Sequence, residues 1–175
     1  MPLSKSNNSD QVIYFKKWQS PIGDLFLYAT KAQLIGLLFA GDSTDFLKYF
    51  KSAELSEKSN LIIKETQNQL KQYFQGKLKT FNLPLLLVGT EFQKKVWSEL
   101  SNVPFGKTIT YKEQAKRIKS EKAVRAVGAA NGKNPIAIII PCHRVIGSNG
   151  KLIGYAGGVK MKTDLLKIEG LKIKS

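Results

Sequence analysis

The sequence predicts an α+β protein in two parts: an antiparallel sheet with helices, followed by a mostly α-helical part. Residues 11–40 contain three short apolar runs separated by turn sequences, which is typical of a meander of strands. Residues 90–131 instead contain two helix-start patterns and apolar residues at helical spacing. We place the boundary within a linker at residues 77–89, so that residues 1–85 form one domain and residues 86–175 the other.

Two helices are predicted after the three strands, a short one at residues 44–51 and a longer one at residues 61–75. The longer helix repeats its core-facing residues at every fourth position, and Gly76 is suited to end it. Residues 81–88 could add an edge strand to the sheet. None of these elements carries residues with evident chemistry, so we interpret the N-terminal part as a scaffold.

The second part begins with a capping box, in which Thr90 and Gln93 satisfy early backbone donors of a helix reciprocally. Thr110 and Glu113 repeat the pattern and open another helix, which runs to about Ile118. A short extended piece is expected just before it. The first of these helices is expected to bury four apolar side chains: Phe92, Val96, Trp97 and Leu100.

A helix-turn-helix is predicted at residues 110–131. A polar turn at residues 119–122 separates the two helices, and the second, at residues 123–131, is rich in alanine and glycine, so that its backbone can approach a groove closely. Taken alone, the pattern also fits an ordinary corner between two helices. What favours a nucleic-acid-binding surface is a crowd of basic side chains: Lys112, Lys116, Arg117, Lys119, Lys122, Arg125 and Lys133.

The net charge indicates the same kind of partner. The chain has 28 Lys and Arg against 13 Asp and Glu, which gives a formal net charge of +15. A charge of this size steers a protein towards polyanions, even though some of the lysines serve only solvation. Nucleic acid is therefore the first partner that the composition predicts.

Several classes of protein are excluded by simple counts. No apolar run reaches the roughly 18 residues of a membrane helix, and residues 1–10 lack the apolar core of a secretory signal. One cysteine excludes an internal disulfide, and one cysteine with one histidine is too few for a structural zinc site. We therefore expect a cytoplasmic protein that holds no metal and no cofactor.

The stretch that organises the C-terminal part holds the only cysteine and the only histidine, Cys142 and His143. A buried strand is predicted at residues 136–140, ended by Pro141. A free thiol is only a few per cent thiolate at pH 7, so a base beside it would matter for reactivity. Neighbouring side chains of an extended segment point to opposite faces, so we expect a bridging water rather than direct contact. The alternative is a small core residue followed by a surface histidine.

The sequence around this pair closely resembles the active-site signature of the O6-alkylguanine-DNA alkyltransferases. The resemblance covers most of residues 70–170. Its motifs stand in the family's order: Gly89-Thr90-Glu91-Phe92-Gln93, Val96-Trp97, Val103-Pro104-Phe105-Gly106, Tyr111, Asn134-Pro135, Pro141-Cys142-His143-Arg144-Val145 and Gly154-Tyr155-Ala156-Gly157-Gly158.

This resemblance implies a ribonuclease H-like N-terminal domain and a winged-helix-like C-terminal domain with the helix-turn-helix. It also implies DNA repair in one turnover, by transfer of an alkyl group from O6-alkylguanine, and from O4-alkylthymine, to Cys142. His143 would act through a water as the base and be oriented by Glu169. Tyr111 would donate to the guanine N3, and Asn134 would couple the helix-turn-helix to the cysteine turn.

The resemblance also implies how a monomer of this protein would hold double-stranded DNA. The second helix would enter the minor groove, and Arg125 would fill the gap left when the damaged nucleotide is flipped out of the stack. Lys112, Lys122, Ala123 and Ala126 would lie along the duplex. The flipped base would be held in a pocket formed by Val145, Tyr155, Ala156 and Gly157.

The sequence is also compatible with three other functions. Some relatives bind alkylated DNA and signal damage without repairing it, but they have tryptophan at the position of Cys142. A winged-helix transcription regulator with an incidental cysteine would bind specific DNA sequences and have an inert thiol. A cysteine hydrolase would need an oxyanion site, and none can be placed from the sequence.

Overall fold

The computed structural model of the protein describes residues 12–173 and confirms the α+β class. The N-terminal polar segment at residues 1–10 lies outside the described residues. The N-terminal part contains four strands: β1 (Val12–Ser20), β2 (Gly23–Ala29), β3 (Leu34–Phe39) and β4 (Glu54–Ser56). They form one sheet in the order β3-β2-β1-β4. The antiparallel meander of the first three strands is confirmed, whereas the fourth, which pairs parallel to β1, was not predicted.

The long helix of the N-terminal part, α1 (Leu61–Phe74), is confirmed. It is capped by Asn60, whose side-chain oxygen accepts from the backbone N–H of Ile63 at 3.0 Å. Gly76 follows the helix with φ of 69°, the left-handed conformation that glycine adopts without strain. The shorter predicted helix is a 3₁₀ helix at Asp45–Phe50.

The described elements of the C-terminal part are α2 (Glu91–Leu100), β5 (Ile109–Thr110), α3 (Tyr111–Arg117), α4 (Val124–Asn131), β6 (Val145–Ile146) and α5 (Gly158–Ile168). Both predicted capping boxes are present, at the starts of α2 and α3. A short parallel pair, β5 and β6, brings the segment before α3 next to the segment after Cys142. A 3₁₀ turn at Glu121–Ala123 leads into α4.

The prediction of a strand at residues 136–140 is wrong. The run is buried, but it forms a turn that touches β3 through one bridge, between Ile136 and Leu37, and a 3₁₀ helix at Cys142–Arg144 follows it. Ile138 has φ of 68°, which a β-branched residue rarely adopts, and no regular strand can contain it. Residues 81–88 likewise meet β3 through a bridge rather than as a strand.

One apolar core joins the two parts of the chain. Leu25 and Tyr73 from the N-terminal part belong to the same buried cluster as Trp97 and Leu165 from the C-terminal part. The boundary between residues 85 and 86 therefore stays a prediction. Across residues 12–173, the structure contains no helix with the length and apolar character needed to span a bilayer.

Candidate active site

Cys142 lies in the 3₁₀ turn with its side chain almost completely buried, and Asn134 holds it there. The Asn134 amide nitrogen donates to Cys142 Sγ at 3.2 Å and to the Ile140 carbonyl at 2.7 Å. Its oxygen accepts from the backbone N–H of Ile136 at 3.0 Å. One buried side chain thus organises the turn and contacts the thiol, and it does so three residues after the end of α4.

Burial raises the pKa of the Cys142 thiol. The hydrogen bond from Asn134 and the positive charge of Lys162 oppose this rise, but burial is the larger effect. The thiol therefore keeps its proton at neutral pH. It needs a base before it can act as a nucleophile.

A buried histidine–carboxylate pair begins at the next residue of the chain. His143 Nε2 is 2.7 Å from Glu169 Oε1, and both side chains are fully buried. Burial lowers the pKa of His143, although the carboxylate of Glu169 opposes this, so the ring is neutral at pH 7. Because Glu169 is ionised, Nε2 carries the ring hydrogen, and Nδ1 is left with a lone pair. Within residues 12–173, this Nδ1 has no hydrogen-bond partner.

Glu169 accepts from several other donors. Arg144 Nε donates to Oε2 at 2.9 Å and Arg144 Nη2 to Oε1 at 3.0 Å. The Tyr73 hydroxyl donates to Oε1 at 2.9 Å, and the backbone N–H of Gly106 donates to Oε2 at 3.0 Å. Burial alone would raise the pKa of Glu169, but the hydrogen bonds and charges of His143 and Arg144 lower it to about 2. This set of donors explains why a helix C-terminus, which disfavours an acid, carries one here.

Tyr111 is the first residue of α3, and its side chain reaches the segment between β6 and α5. Its hydroxyl donates to the Ile153 carbonyl at 3.1 Å. Burial raises the pKa of Tyr111, and the nearby Cys142 raises it further. The hydroxyl therefore keeps its proton at neutral pH and remains a donor.

The predicted pocket residues lie around the segment between β6 and α5. Val145 is fully buried, and the Tyr155 hydroxyl is buried without a hydrogen-bond partner among residues 12–173. The Tyr155 ring lies 6.4 Å from the His143 ring, centroid to centroid. Gly157 packs so closely on Met161 that an added Cβ would overlap its sulfur. Ala156 is exposed.

The predicted DNA-contacting side chains lie on the helix-turn-helix and are mostly exposed. Lys112, Lys122, Arg125 and Ala126 are exposed, and Ala123 is half-buried. Arg117 lies on the same surface, but its guanidinium is engaged in ion pairs with Glu113 at 3.2 Å and Glu99 at 3.5 Å.

Two residues of the site were missed by sequence reasoning, Tyr73 and Lys162. Tyr73 comes from α1, in the part interpreted as scaffold, and no local signal marks it. Lys162 had a signal. In α5 the buried residues Lys162, Leu165 and Leu166 are followed by Glu169 at helical spacing, so both charged residues fall on the stripe that faces the core.

The fold and the site together define a class: a two-part α+β protein in which a buried cysteine is followed by a buried histidine–carboxylate pair, close to a basic helix-turn-helix. Two family models then give the particular family. The model described as "6-O-methylguanine DNA methyltransferase, ribonuclease-like domain" matches residues 13–87. The model described as "6-O-methylguanine DNA methyltransferase, DNA binding domain" matches residues 91–171. The chain belongs to the 6-O-methylguanine DNA methyltransferase family.

Individual relatives agree over most of the chain. It is 48% identical over 158 residues to a methylated-DNA–protein-cysteine methyltransferase of Methanosarcina mazei, covering 86% of this chain and 100% of that protein. It is 40% identical over 163 residues to the constitutive protein of that name in Bacillus subtilis, covering 92% and 98%. Among solved structures, Mycobacterium tuberculosis OGT in complex with DNA superposes with a TM-score of 0.80 at 40% identity, covering 89% of this chain and 92% of that one.

Proposed function

We propose that this protein repairs DNA by transferring the alkyl group of O6-alkylguanine to Cys142, once per molecule. One observation carries the proposal: the single cysteine is held by Asn134 beside a buried His143–Glu169 pair. The names of its relatives, methylated-DNA–protein-cysteine methyltransferases, support the same activity.

The reaction begins with the thiol proton. His143 Nδ1 is the ring nitrogen that carries the free lone pair, and it takes this proton through a bridging water. Glu169 stabilises the imidazolium that forms. The Cys142 thiolate attacks the alkyl carbon in line with its bond to the guanine O6. The S–C bond forms as the C–O6 bond breaks, and the electron pair of that bond goes to the guanine.

The leaving guanine needs a proton, because as an anion it is a poor leaving group. Tyr111, whose hydroxyl now contacts the Ile153 carbonyl, turns this donor to the guanine N3 when the base is bound. The proton held by His143 returns to the guanine, so the products are unmodified guanine and S-alkylcysteine. A thioether does not leave under these conditions, which makes the protein a stoichiometric acceptor.

The base must leave the duplex before sulfur can reach it, because an alkyl carbon in the stack is shielded from in-line attack. The helix-turn-helix presents exposed Lys112, Lys122 and Arg125 to DNA. A relative at 40% identity was solved in complex with DNA, which supports DNA binding by this chain. We assign α4 to the minor groove and Arg125 to the gap of the flipped nucleotide, in a protein that acts as a monomer.

The flipped base is placed against Val145, Tyr155, Ala156 and Gly157. Backbone groups do most of the recognition: the carbonyls of Cys142 and Val145 accept from the exocyclic amine of guanine, which adenine lacks at that position. The backbone N–H of Ala156 holds the base from the other side, so an alanine serves there. O4-alkylthymine is the second substrate that this pocket is proposed to accept.

The deciding experiment is mass spectrometry of the protein after mixing it with duplex DNA that carries one O6-methylguanine. We expect one methyl group, on the peptide that contains Cys142, with no further gain at excess DNA. Cys142→Ala is the control and should gain none. Tight binding to the lesion without any mass change would instead identify a damage-sensing protein, and sequence-specific DNA binding with an inert thiol would identify a transcription regulator.

A further inference from the structure

Two side-chain amides lie in the core of the helix-turn-helix. Gln114 on α3 is fully buried, and Asn131, the last residue of α4, is 6% exposed. The other buried residues of these two helices are apolar: Ala115, Val127 and Ala130. Burying an amide costs free energy unless its polar atoms find partners, and apolar side chains of the same size would avoid that cost. The polar pair therefore needs an explanation.

The two amides bind each other in both directions. Asn131 Nδ2 donates to Gln114 Oε1 at 2.7 Å, and Gln114 Nε2 donates to Asn131 Oδ1 at 3.2 Å. Gln114 Nε2 has a second hydrogen, which it donates to the Val96 carbonyl of α2 at 3.1 Å. Because hydrogen bonds weaken steeply with distance and angle, this amide pair fixes the end of α4 against α3 and α2 more strictly than apolar contacts would.

The end of α4 that the amide pair holds leads directly to the cysteine turn. The Asn131 carbonyl accepts from the backbone N–H of Asn134 at 3.2 Å, and the Asn134 side chain donates to Cys142 Sγ at 3.2 Å. Burial raises the pKa of the Cys142 thiol, and the hydrogen bond from Asn134 opposes this rise. A displacement of the end of α4 would therefore move the donor that stabilises the thiolate.

The fold does not depend on the amide pair alone. The Trp97 indole also holds α4, because its Nε1 donates to the Ala130 carbonyl at 2.8 Å. The Val96 carbonyl lies inside α2 and keeps its helical hydrogen bond when the glutamine is replaced. Apolar side chains of the same size should therefore preserve the fold and change the alignment of the helix end.

We propose that Gln114 and Asn131 are positioning residues for the alkyl transfer, because their amide pair sets the end of α4 and thereby the alignment of Asn134 on the Cys142 sulfur. Neither residue touches the reacting atoms. The inference rests on the proposed function for its role in repair, but its effect on the thiol is independent of DNA.

The test separates positioning from stability by comparing single variants with a double variant. Methionine matches the length of glutamine, and leucine matches the shape of asparagine, without polar hydrogen-bonding groups. Gln114→Met or Asn131→Leu alone leaves one amide buried without its partner, so resistance to urea should fall. The double variant has neither amide, so its resistance to urea should return towards that of the wild type.

The deciding readout is the pH dependence of Cys142 alkylation by iodoacetamide in the absence of DNA. We expect the midpoint to rise by about half a pH unit in the single and double variants, so that alkylation below the midpoint slows roughly threefold. The titratable groups that surround the sulfur are unchanged in these variants: Lys162, Asp42, His143, Tyr111 and Tyr155. A shifted midpoint therefore reports the alignment of the hydrogen bond from Asn134.

The matched control is Asn60→Leu, the same substitution at the start of α1. The Asn60 side chain also makes two hydrogen bonds, to the Thr30 carbonyl at 2.8 Å and from the backbone N–H of Ile63 at 3.0 Å. Losing this cap should lower resistance to urea and leave the alkylation midpoint unchanged. A midpoint that shifted equally in Asn60→Leu would mean that it follows stability, which would overturn the inference.

A double variant that regains stability but keeps the raised midpoint supports the positioning role. A folded double variant with the wild-type midpoint, or a lower one, would overturn it. If the double variant does not fold, either folded single variant decides by the same criterion. Hydrogen exchange of the Asn134 backbone N–H provides a second readout, and it should be faster in every variant of the amide pair than in the wild type.

The inference and the proposed function fail separately. If the wild type gains a methyl group from DNA but the midpoint is the same without the amide pair, the repair function stands and the role of Gln114 and Asn131 is refuted. If the midpoint shifts but no methyl group is transferred, the amide pair positions a thiol that serves another reaction.

Discussion

The Tyr73 hydroxyl donates to Glu169 Oε1 across 2.9 Å, joining residues that are 96 positions apart in the chain. The tyrosine belongs to α1 of the N-terminal part, and its ring packs against Phe81 and Phe105 at centroid distances of 5.4 and 6.1 Å. The carboxylate belongs to the end of α5 and orients His143. The N-terminal part therefore contributes directly to the candidate active site, in addition to supporting the sheet.

Replacing Tyr73 with Phe should slow methyl transfer several-fold while the fold is kept. The ring packing remains, but Glu169 loses one donor and orients the histidine less firmly. A hydrogen bond to a charged group contributes about 1.5–3 kcal/mol, so stability should fall by an amount in that range. Single-turnover transfer rates and urea unfolding measure the two effects.

The matched control for this change is Tyr28→Phe. Tyr28 is also buried, but it packs against Phe15 and Phe46 in the smaller apolar cluster on the sheet. It should leave the transfer rate unchanged. Equal rates for wild type and Tyr73→Phe would mean that the hydroxyl contact has no part in orienting the base.

Replacing Glu169 with Gln should change how stability depends on pH. The folded-state pKa of Glu169 is lowered from 4.5 to about 2, so its stabilisation is complete above pH 4.5 and is lost as the pH falls towards 2. In Glu169→Gln this part of the acid sensitivity should disappear, and the protein should be less stable at pH 7 because the charge of Arg144 is left buried without its partner. Urea unfolding at pH 7 and at pH 3 measures both effects. An equally steep acid loss in the variant would assign it to other groups, either other carboxylates or the buried His143, whose pKa is lowered by burial.

Replacing Asn134 with Asp should make the thiol less reactive. The carboxylate would place a negative charge beside Sγ and remove the donors to Sγ and to the Ile140 carbonyl, and both changes raise the pKa of Cys142. We expect iodoacetamide to react at least tenfold more slowly at pH 7.5. The control is Asn102→Asp, at an exposed asparagine whose side chain donates a hydrogen bond to Glu99 at 3.1 Å. A faster reaction in Asn134→Asp would show that this side chain does not stabilise the thiolate.

Replacing Arg125 with Ala should impair repair of duplex DNA far more than repair of single strands. The arginine is proposed to fill the gap of the flipped nucleotide, and a single strand has no stack to open. We expect at least a tenfold loss of transfer rate on duplex DNA and little loss on a single-stranded substrate. Arg117→Ala removes another arginine of the same unit, one that faces Glu99 and Glu113, and should cause a smaller loss. Equal losses of transfer rate on both substrates would indicate that Arg125 contacts a phosphate group and does not fill the gap of the flipped nucleotide.

The features predicted correctly from the sequence are those set by local interactions. Both capping boxes, at Thr90 and Thr110, depend on residues three positions apart and form as expected. The meander of β1 to β3 follows from apolar runs separated by turns. The neighbouring Cys142 and His143 were conspicuous because each is the only residue of its type in the chain.

What the sequence could not predict depends on distant contacts. The apolar run at residues 136–140 looks like a strand, but the Asn134 side chain binds the backbone of Ile136 and Ile140 and folds it into a turn. The contact of Tyr73 with Glu169 leaves no local pattern at all. The roles of the DNA-contacting and pocket residues stay predictions, because contacts with DNA decide them.

The burial of Cys142 also affects how the protein survives until it meets a lesion. Peroxide and glutathione disulfide attack the thiolate rather than the thiol, and they need access to the sulfur. Cys142 is 8% exposed and burial raises its pKa, so it should oxidise slowly in the resting protein. If each molecule acts only once, a molecule oxidised to the sulfinic or sulfonic acid is lost to repair just as an alkylated one is. Slow oxidation of the resting thiol would therefore keep unreacted molecules able to accept an alkyl group.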